Sequence, residues 1–281
     1  MSLLQYRFES QYLSGATTFS VLLPDKPLGM SPAAYYRSGK KFKVLWLLHG
    51  TAGDDLDWLR RTNIELYTEG LELAVVMPSA LNSIYSNWND FMLGYRMFDY
   101  LTEELMPLVY GWLPVSDRRD DNFIAGLSMG GRGTVKYAVN HPEKFAAAAV
   151  LSAVPMDFEQ MRPGHPCIML DLDDARVKTS ILNAGGLDAF KNSYENVWRL
   201  LDEQAGKGTL PRLLFACGEN DAMLIGPFRE FQKHAAEIGL DASFFLAPGY
   251  RHEWPFWDLG IREALRFFGF DNEHLRKRRD R

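Results

Sequence analysis

Cysteine is scarce in this sequence, with Cys167 and Cys217 the only two among 281 residues. Two thiols make no disulfide framework, so a reducing compartment is expected. Long apolar runs are missing too. No window approaches the length of a membrane-spanning helix, so none is expected. The opening residues, Met1-Ser2-Leu3-Leu4-Gln5-Tyr6-Arg7, lack the basic region and apolar stretch of a signal peptide. A soluble, cytoplasmic protein is the expectation. Positive charge is not in excess either. Lys and Arg number 31 against 36 Asp and Glu, a net charge of −5. Phosphate contact calls for a basic face, so nucleic acid is not expected as a partner. The one basic run, Arg276-Lys277-Arg278-Arg279 with Arg281 after it, reads as a solvated, frayed C-terminus. Internal repeats and low-complexity tracts are absent.

What is present is ordinary globular composition, 47% hydrophobic and 24% charged. A chain of this length can bury about three quarters of its unfolded surface in one core. Short, nearly continuous apolar runs mark strands covered on both faces: 44–48, 73–77, 122–127, 146–151, 212–217 and 242–246. Tyr6 to Leu13 and Thr17 to Leu23, split by Ser14-Gly15-Ala16, read as an antiparallel hairpin. Helical periodicity fills 96–109, with Pro107 expected to end or bend it, and also 130–140, 228–238 and 261–268. Strands alternating with helices imply a mostly parallel sheet. One segment breaks the rhythm. Residues 155–211 form a polar excursion with a helical pattern at 193–204, read as a partial cap on a single domain spanning 1–281.

Gly126-Leu127-Ser128-Met129-Gly130 is a G-x-S-x-G pentapeptide. Such a match arises by chance in about one chain in ten of this size. Its context makes it specific: a strand leads in and a helix leads out, as a nucleophile elbow requires. A serine hydroxyl needs a base, and in this arrangement the acid and then the histidine follow the serine in the chain. Five histidines follow Ser128. His141 ends the next helix, His234 lies within a helix and His274 lies in the tail. His252 sits in the loop after the last strand, where catalytic groups gather, and is the expected base. His165, in the excursion, stays open as an alternative. Asp221 turns off the end of the strand 212–217 and is the expected acid, with Glu219 as competitor. The developing oxyanion would be met by the N–H groups of Met129 and of Thr51, the latter in Leu48-His49-Gly50-Thr51-Ala52-Gly53. His49 precedes the serine, so a structural role under that loop is expected of it. Trp88, Met223 and Trp254 are candidate substrate contacts, each with packing as an equal alternative. No His/Asp/Cys cluster has convincing metal-ligand spacing, so no metal or organic cofactor is expected.

The chain resembles the α/β-hydrolase superfamily and, within it, the esterase D-like group of tributyrin esterases, S-formylglutathione hydrolases and feruloyl or acetylxylan esterases. The residues that carry this are His49-Gly50, Trp58 with Thr62-Asn63, Asp99-Tyr100 with Glu103-Glu104-Leu105, and Gly126 to Gly131. Ala189 to Ser193, Cys217-Gly218 with Asp221, and His252-Glu253-Trp254 with Trp257 extend it along the chain. The tributyrin esterase branch is the nearest in pattern. The resemblance implies an α/β-hydrolase fold, a mostly parallel sheet of about eight strands with helices on both faces. It implies a serine carboxylesterase acting on short-chain acyl esters through an acyl-enzyme, with a small-molecule ester as partner. Carbohydrate or feruloyl esters and S-formylglutathione are the alternatives. The formylglutathione branch carries a Thr-Cys pair soon after its His-Gly, where this chain has Ala52-Gly53-Asp54-Asp55.

Three other classes compete. An apolar stretch ending in Asp171-Leu172-Asp173-Asp174 mimics an aspartate-nucleophile phosphatase, but Ala175 stands where threonine or valine is wanted and a solvated acidic loop is the simpler reading. A non-catalytic binding protein on the same scaffold would be expected to have lost a triad member. A peptidase would want a gating domain. The sequence neither requires nor excludes a homo-oligomer.

Overall fold

The computed structural model describes residues 1–90 and 93–276. The expected hairpin is β1 (Ser2–Ser10) with β2 (Gly15–Leu23), paired from Ser2 opposite Leu23 to Ser10 opposite Gly15. Its turn comes earlier than the sequence suggests. Ser10 Oγ accepts the Leu13 N–H at 3.0 Å, and Ser14 takes the left-handed conformation at φ 53°. The apolar runs become β3 (Lys43–Leu48), β4 (Leu73–Pro78), β7 (Asn122–Leu127), β8 (Ala147–Leu151), β9 (Arg212–Gly218) and β10 (Ala242–Ala247). Between β4 and β7 lies a small antiparallel ribbon, β5 (Asn87–Trp88) with β6 (Tyr95–Arg96).

The main sheet has eight strands in the order β1-β2-β4-β3-β7-β8-β9-β10. It is parallel from β4 to β10, and β2 runs antiparallel to both of its neighbours. Alternate residues of one strand feed opposite faces, as the pleat demands. In β3, Val44, Trp46 and Leu48 join the larger apolar cluster, while Leu45 and Leu47 join the smaller one. Helix Met129–Asn140 covers the first face and helix Trp254–Phe267 the second. From β3 the chain reaches β4 on one side and β7 on the other. The crevice beyond the carboxyl ends of β3 and β7 is therefore the topological switch point where such sheets bind ligands.

The helices differ from expectation in three places. Pro107 does not end its helix, which runs on as Met106–Trp112. Proline cannot donate to the carbonyl four residues back and crowds it. The turn before it widens instead: Tyr100–Leu105 is π-helical, and Met106 N–H bonds Leu101 O, five residues behind. Pro107 then occupies a first turn, where its missing N–H costs nothing. The last long helix starts at Trp254 because Pro255 seeds its first turn. The excursion carries three helices, Ala175–Asn183, Leu187–Lys191 and Val197–Gln204, joined by turns, and the last starts later than the sequence pattern suggests.

The acidic run serves local structure. Asp174 caps the helix that follows it, Asp171 Oδ1 accepts the Gly164 and Asp173 N–H groups, and Asp173 pairs with Lys178. The excursion is fastened to helix Met129–Asn140 by the Lys136–Glu195 ion pair at 2.7 Å. Asn140 Nδ2 bonds Tyr194 O and Gln204 Nε2 bonds Val139 O, both at 3.2 Å. Among the described residues no helix is long and apolar enough to cross a membrane. The basic tail from Lys277 to Arg281 lies outside the described residues.

Candidate active site

Ser128 links β7 to helix Met129–Asn140 in a left-handed conformation, φ 52° and ψ −115°. For a serine this is strain, which the surroundings must enforce. They do so through glycine. A Cβ on Gly126 would lie 2.5 Å from Gly130 O, and one on Gly130 would lie 2.4 Å from Leu48 O. Neither gap admits a side chain, so the helix start, β7 and the end of β3 meet backbone to backbone around the serine.

His252 bridges the other two predicted residues. Its Nε2 lies 3.0 Å from Ser128 Oγ, and its Nδ1 lies 2.8 Å from Asp221 Oδ2. Asp221 is 1% exposed, and its Oδ1 accepts the N–H groups of Met223 and Leu224, each at 3.2 Å. These bonds spend the carboxylate as an acceptor only. The Nδ1 proton of His252 therefore points at Asp221, and Nε2 is free to accept from the serine. Glu219 does not make this contact; it lies exposed on the same turn. The competing histidines are engaged elsewhere. His165 Nδ1 contacts the Cys167 backbone, His234 bonds Asp202 and stacks on Trp198, His141 pairs with Glu143, and His274 with Glu69.

The loop after β3 lies against the serine. A Cβ on Gly50 would sit 3.6 Å from Ser128 Cβ. His49 holds this loop from beneath, 1% exposed. Its Nδ1–H donates to Gly50 O at 2.7 Å and its Nε2 accepts the Ala80 N–H at 2.8 Å. Burial pushes the imidazole below its usual pKa, so it is neutral, as this bonding pattern requires. Because a trans peptide points its C=O and N–H in opposite directions, anchoring Gly50 O turns the Thr51 N–H the other way. The Met129 N–H opens the helix that follows the serine. Asp55 secures the far end of the loop, accepting the hydroxyls of Thr18, Ser20 and Ser79 at 2.6 to 2.8 Å.

The candidate substrate contacts part company. Met223 is 54% exposed and lines a cavity of about 430 Å³ with Pro155, Met156, Leu170 and Trp198. Trp88 lines a different, more polar cavity of about 200 Å³ with Asn87, Asn183 and Glu195, its Nε1 bonded to Ser83 O. Trp254 packs edge-on to Trp58 and Trp257, under the Arg61 guanidinium. Trp257 is the aromatic that meets His252, edge-on at 5.1 Å between ring centres, with its Nε1 held by Ser152 Oγ. Among the described residues no group of three or more His, Cys, Asp or Glu is placed to hold a metal ion.

Sequence reasoning missed Asp55, Asn82 and Tyr85, which support the loop after β3, and Lys136, which holds the loop after β4. Asp55 alone had a signal, as a carboxylate close behind the His-Gly turn.

Comparison with known proteins places the chain among esterases. The family model described as "Putative esterase" matches residues 10–211. The chain is 27% identical over 277 residues to an acetyl esterase of Caldicellulosiruptor saccharolyticus, covering 94% of this chain and 97% of that protein. Among solved structures it is similar to the S-formylglutathione hydrolase FrmB of Staphylococcus aureus. There the identity is 31% and the TM-score 0.76, over 95% of this chain and 98% of that one. It is also similar to FphF, a fluorophosphonate-binding serine hydrolase of the same organism. That match has 29% identity and a TM-score of 0.75, over 96% and 99% of the two chains.

Proposed function

This chain belongs to the Esterase family and is a carboxylic ester hydrolase, and from that premise we propose that it is a serine esterase acting on short-chain acyl esters through an acyl-enzyme. The observation that carries the reading is His252, within hydrogen-bond reach of Ser128 Oγ and of Asp221 Oδ2 at once. Ser128 Oγ attacks the ester carbonyl as its proton passes to His252 Nε2. Asp221 keeps the Nδ1 proton in place and stabilises the imidazolium. The N–H groups of Thr51 and Met129 meet the oxyanion. The imidazolium returns its proton to the leaving alkoxide, which departs as the alcohol. Water then repeats the sequence on the acyl-enzyme, releasing the acid and freeing the serine.

The acetyl esterase relative favours a small acyl group, and each further buried CH₂ would need apolar surface worth about 0.8 kcal/mol. The likeness to FrmB makes S-formylglutathione the second substrate to try. A fluorophosphonate probe should add one adduct, on Ser128, and Ser128→Ala should abolish it together with ester turnover. Retention of wild-type turnover by Ser128→Ala sinks the mechanism. A panel of p-nitrophenyl esters from acetyl to dodecanoyl, with methyl ferulate, acetylated xylan and S-formylglutathione alongside, tests the substrate. A maximum on the longest chains, or on ferulate, overturns the short-chain reading.

A further inference from the structure

The loop after β4 is strained without glycine. Leu81, Ile84 and Tyr85 adopt φ of 47°, 57° and 52°, a region that L-residues with a Cβ avoid. Something must hold such backbone there, and for Ile84 and Tyr85 the holder is a buried cation. Lys136, 2% exposed, reaches from the helix that starts beside Ser128. Its Nζ donates to Ile84 O at 3.1 Å, Tyr85 O at 3.4 Å and Ser86 Oγ at 2.7 Å, and pairs with Glu195 at 2.7 Å. Burying an ammonium is costly. If the position served packing alone, an apolar side chain of similar length would fill it at lower cost.

What the clamp fixes is Tyr85. Its ring lies against the helix where a Cβ on Gly133 would come within 2.7 Å of it. Its hydroxyl, kept protonated by full burial, donates to His49 O at 3.1 Å. That carbonyl also lies against Gly130, 2.5 Å from where a Cβ would be. The His49–Gly50 peptide thus touches both the serine's own helix and the tyrosine. The same loop grips the neighbouring residues twice more. Ala80 N–H donates to His49 Nε2, and Asn82 Oδ1 accepts the Ala52 N–H at 2.7 Å.

Resting on the reading of Thr51 as an oxyanion donor, we propose that Tyr85, clamped by Lys136, is a positioning residue for the reaction. It sets the distance between Ser128 and the backbone that receives the oxyanion. It touches no reacting atom. Its hydroxyl restrains the peptide next to the donor, so its effect belongs to the tetrahedral state and not to the bound ester.

Tyr85→Phe leaves the ring in its notch and deletes only the hydroxyl. With active sites counted by fluorophosphonate, kcat should fall about threefold to tenfold, the factor that one neutral hydrogen bond corresponds to, with KM unchanged. The affinity for a trifluoromethyl ketone, which forms an oxyanion adduct, should fall by the same factor. The affinity for a non-reactive ether analogue should stay constant. A role in packing alone would lower the unfolding temperature and leave the ratio of these two affinities untouched. The pair Lys136→Met with Glu195→Gln should repeat the signature. Combined with Tyr85→Phe, it should lose less than the product of the separate losses; losses that multiply overturn the clamp. If Ser128 takes the label in the wild type while Tyr85→Phe matches it in kcat and ketone affinity, the tyrosine's role is refuted and the serine mechanism stands. If wild-type Ser128 takes no label and Ser128→Ala still turns over esters, the mechanism fails and this role fails with it.

Discussion

Replacing Asp221 by asparagine should remove catalysis while leaving the fold in place, and the hydrogen bonds say why. Asp221 Oδ1 faces two backbone N–H groups, from Met223 and Leu224, and Oδ2 faces His252 Nδ1. In Asp221→Asn the amide has one oxygen and one NH₂. Turning the NH₂ toward the two backbone donors would set three donors against one another, so the oxygen keeps that side. The NH₂ must then face His252 Nδ1, which becomes an acceptor. The imidazole proton moves to Nε2 and points at Ser128 Oγ, and the hydroxyl loses its base. In serine proteases the equivalent exchange lowers kcat about 10⁴-fold, or about 5.4 kcal/mol at 1.36 per decade. The three hydrogen bonds persist without charge assistance, at a cost to folding of about 1 kcal/mol each, against the 5–15 kcal/mol or so by which proteins are usually stable. Steady-state hydrolysis of p-nitrophenyl butyrate, with circular dichroism on the same sample, decides it. A folded variant with kcat within about tenfold of wild type, or with its loss confined to KM, would refute the tautomer argument.

Gly130→Ala should cost at least about 1–3 kcal/mol of stability as well as activity, since its methyl would lie 2.4 Å from Leu48 O and 2.5 Å from His49 O; an unchanged urea midpoint would contradict the close backbone approach. His49 and His141 are both held below 6.5 by burial, so the unfolded chain takes up protons first as pH falls. Their contribution to stability is therefore full above that value and is lost below it, and the urea midpoint should be lower at about pH 5 than at about pH 7. A midpoint that is flat or rises on acidification would count against neutral buried imidazoles. Burial pushes the Cys217 thiol up to about 12, whereas Cys167 is partly exposed. A maleimide at mildly alkaline pH should therefore modify Cys167 in the folded protein and Cys217 only after unfolding; equal rates at both would refute this.

The parts legible in the sequence are those whose cause is local. Val44 to Leu48 reads as a doubly covered strand because both faces of one short run are apolar. Gly126 and Gly130 betray the elbow because only glycine fits there. Asp221 and His252 were reachable because chain order and strand ends constrain them. The parts that stayed hidden arise from long-range contact. The π-turn before Pro107 follows from the helix being held in place by packing on the sheet, which overrides the proline's local preference to stop it. Lys136 looks like a solvated helix position until the excursion brings Glu195 to it. Leu81, Ile84 and Tyr85 carry no sign of left-handed backbone, since tertiary bonds impose it on residues that would not choose it. Which of Trp254 and Trp257 faces His252 depends on where the helix starts, and its start at Trp254 itself turns Trp257 to the imidazole.

The excursion's attachment to helix Met129–Asn140, through Glu195, Tyr194 and Gln204, bears on how the enzyme meets poorly soluble esters. That helix begins at the nucleophile and is packed backbone to backbone on the sheet through Gly130 and Gly131. A segment fastened to it through these three residues is expected to keep one position whether or not an oil–water boundary is present. Turnover is therefore expected to follow the concentration of dissolved ester alone, passing smoothly through the solubility limit with no jump in rate where droplets first appear.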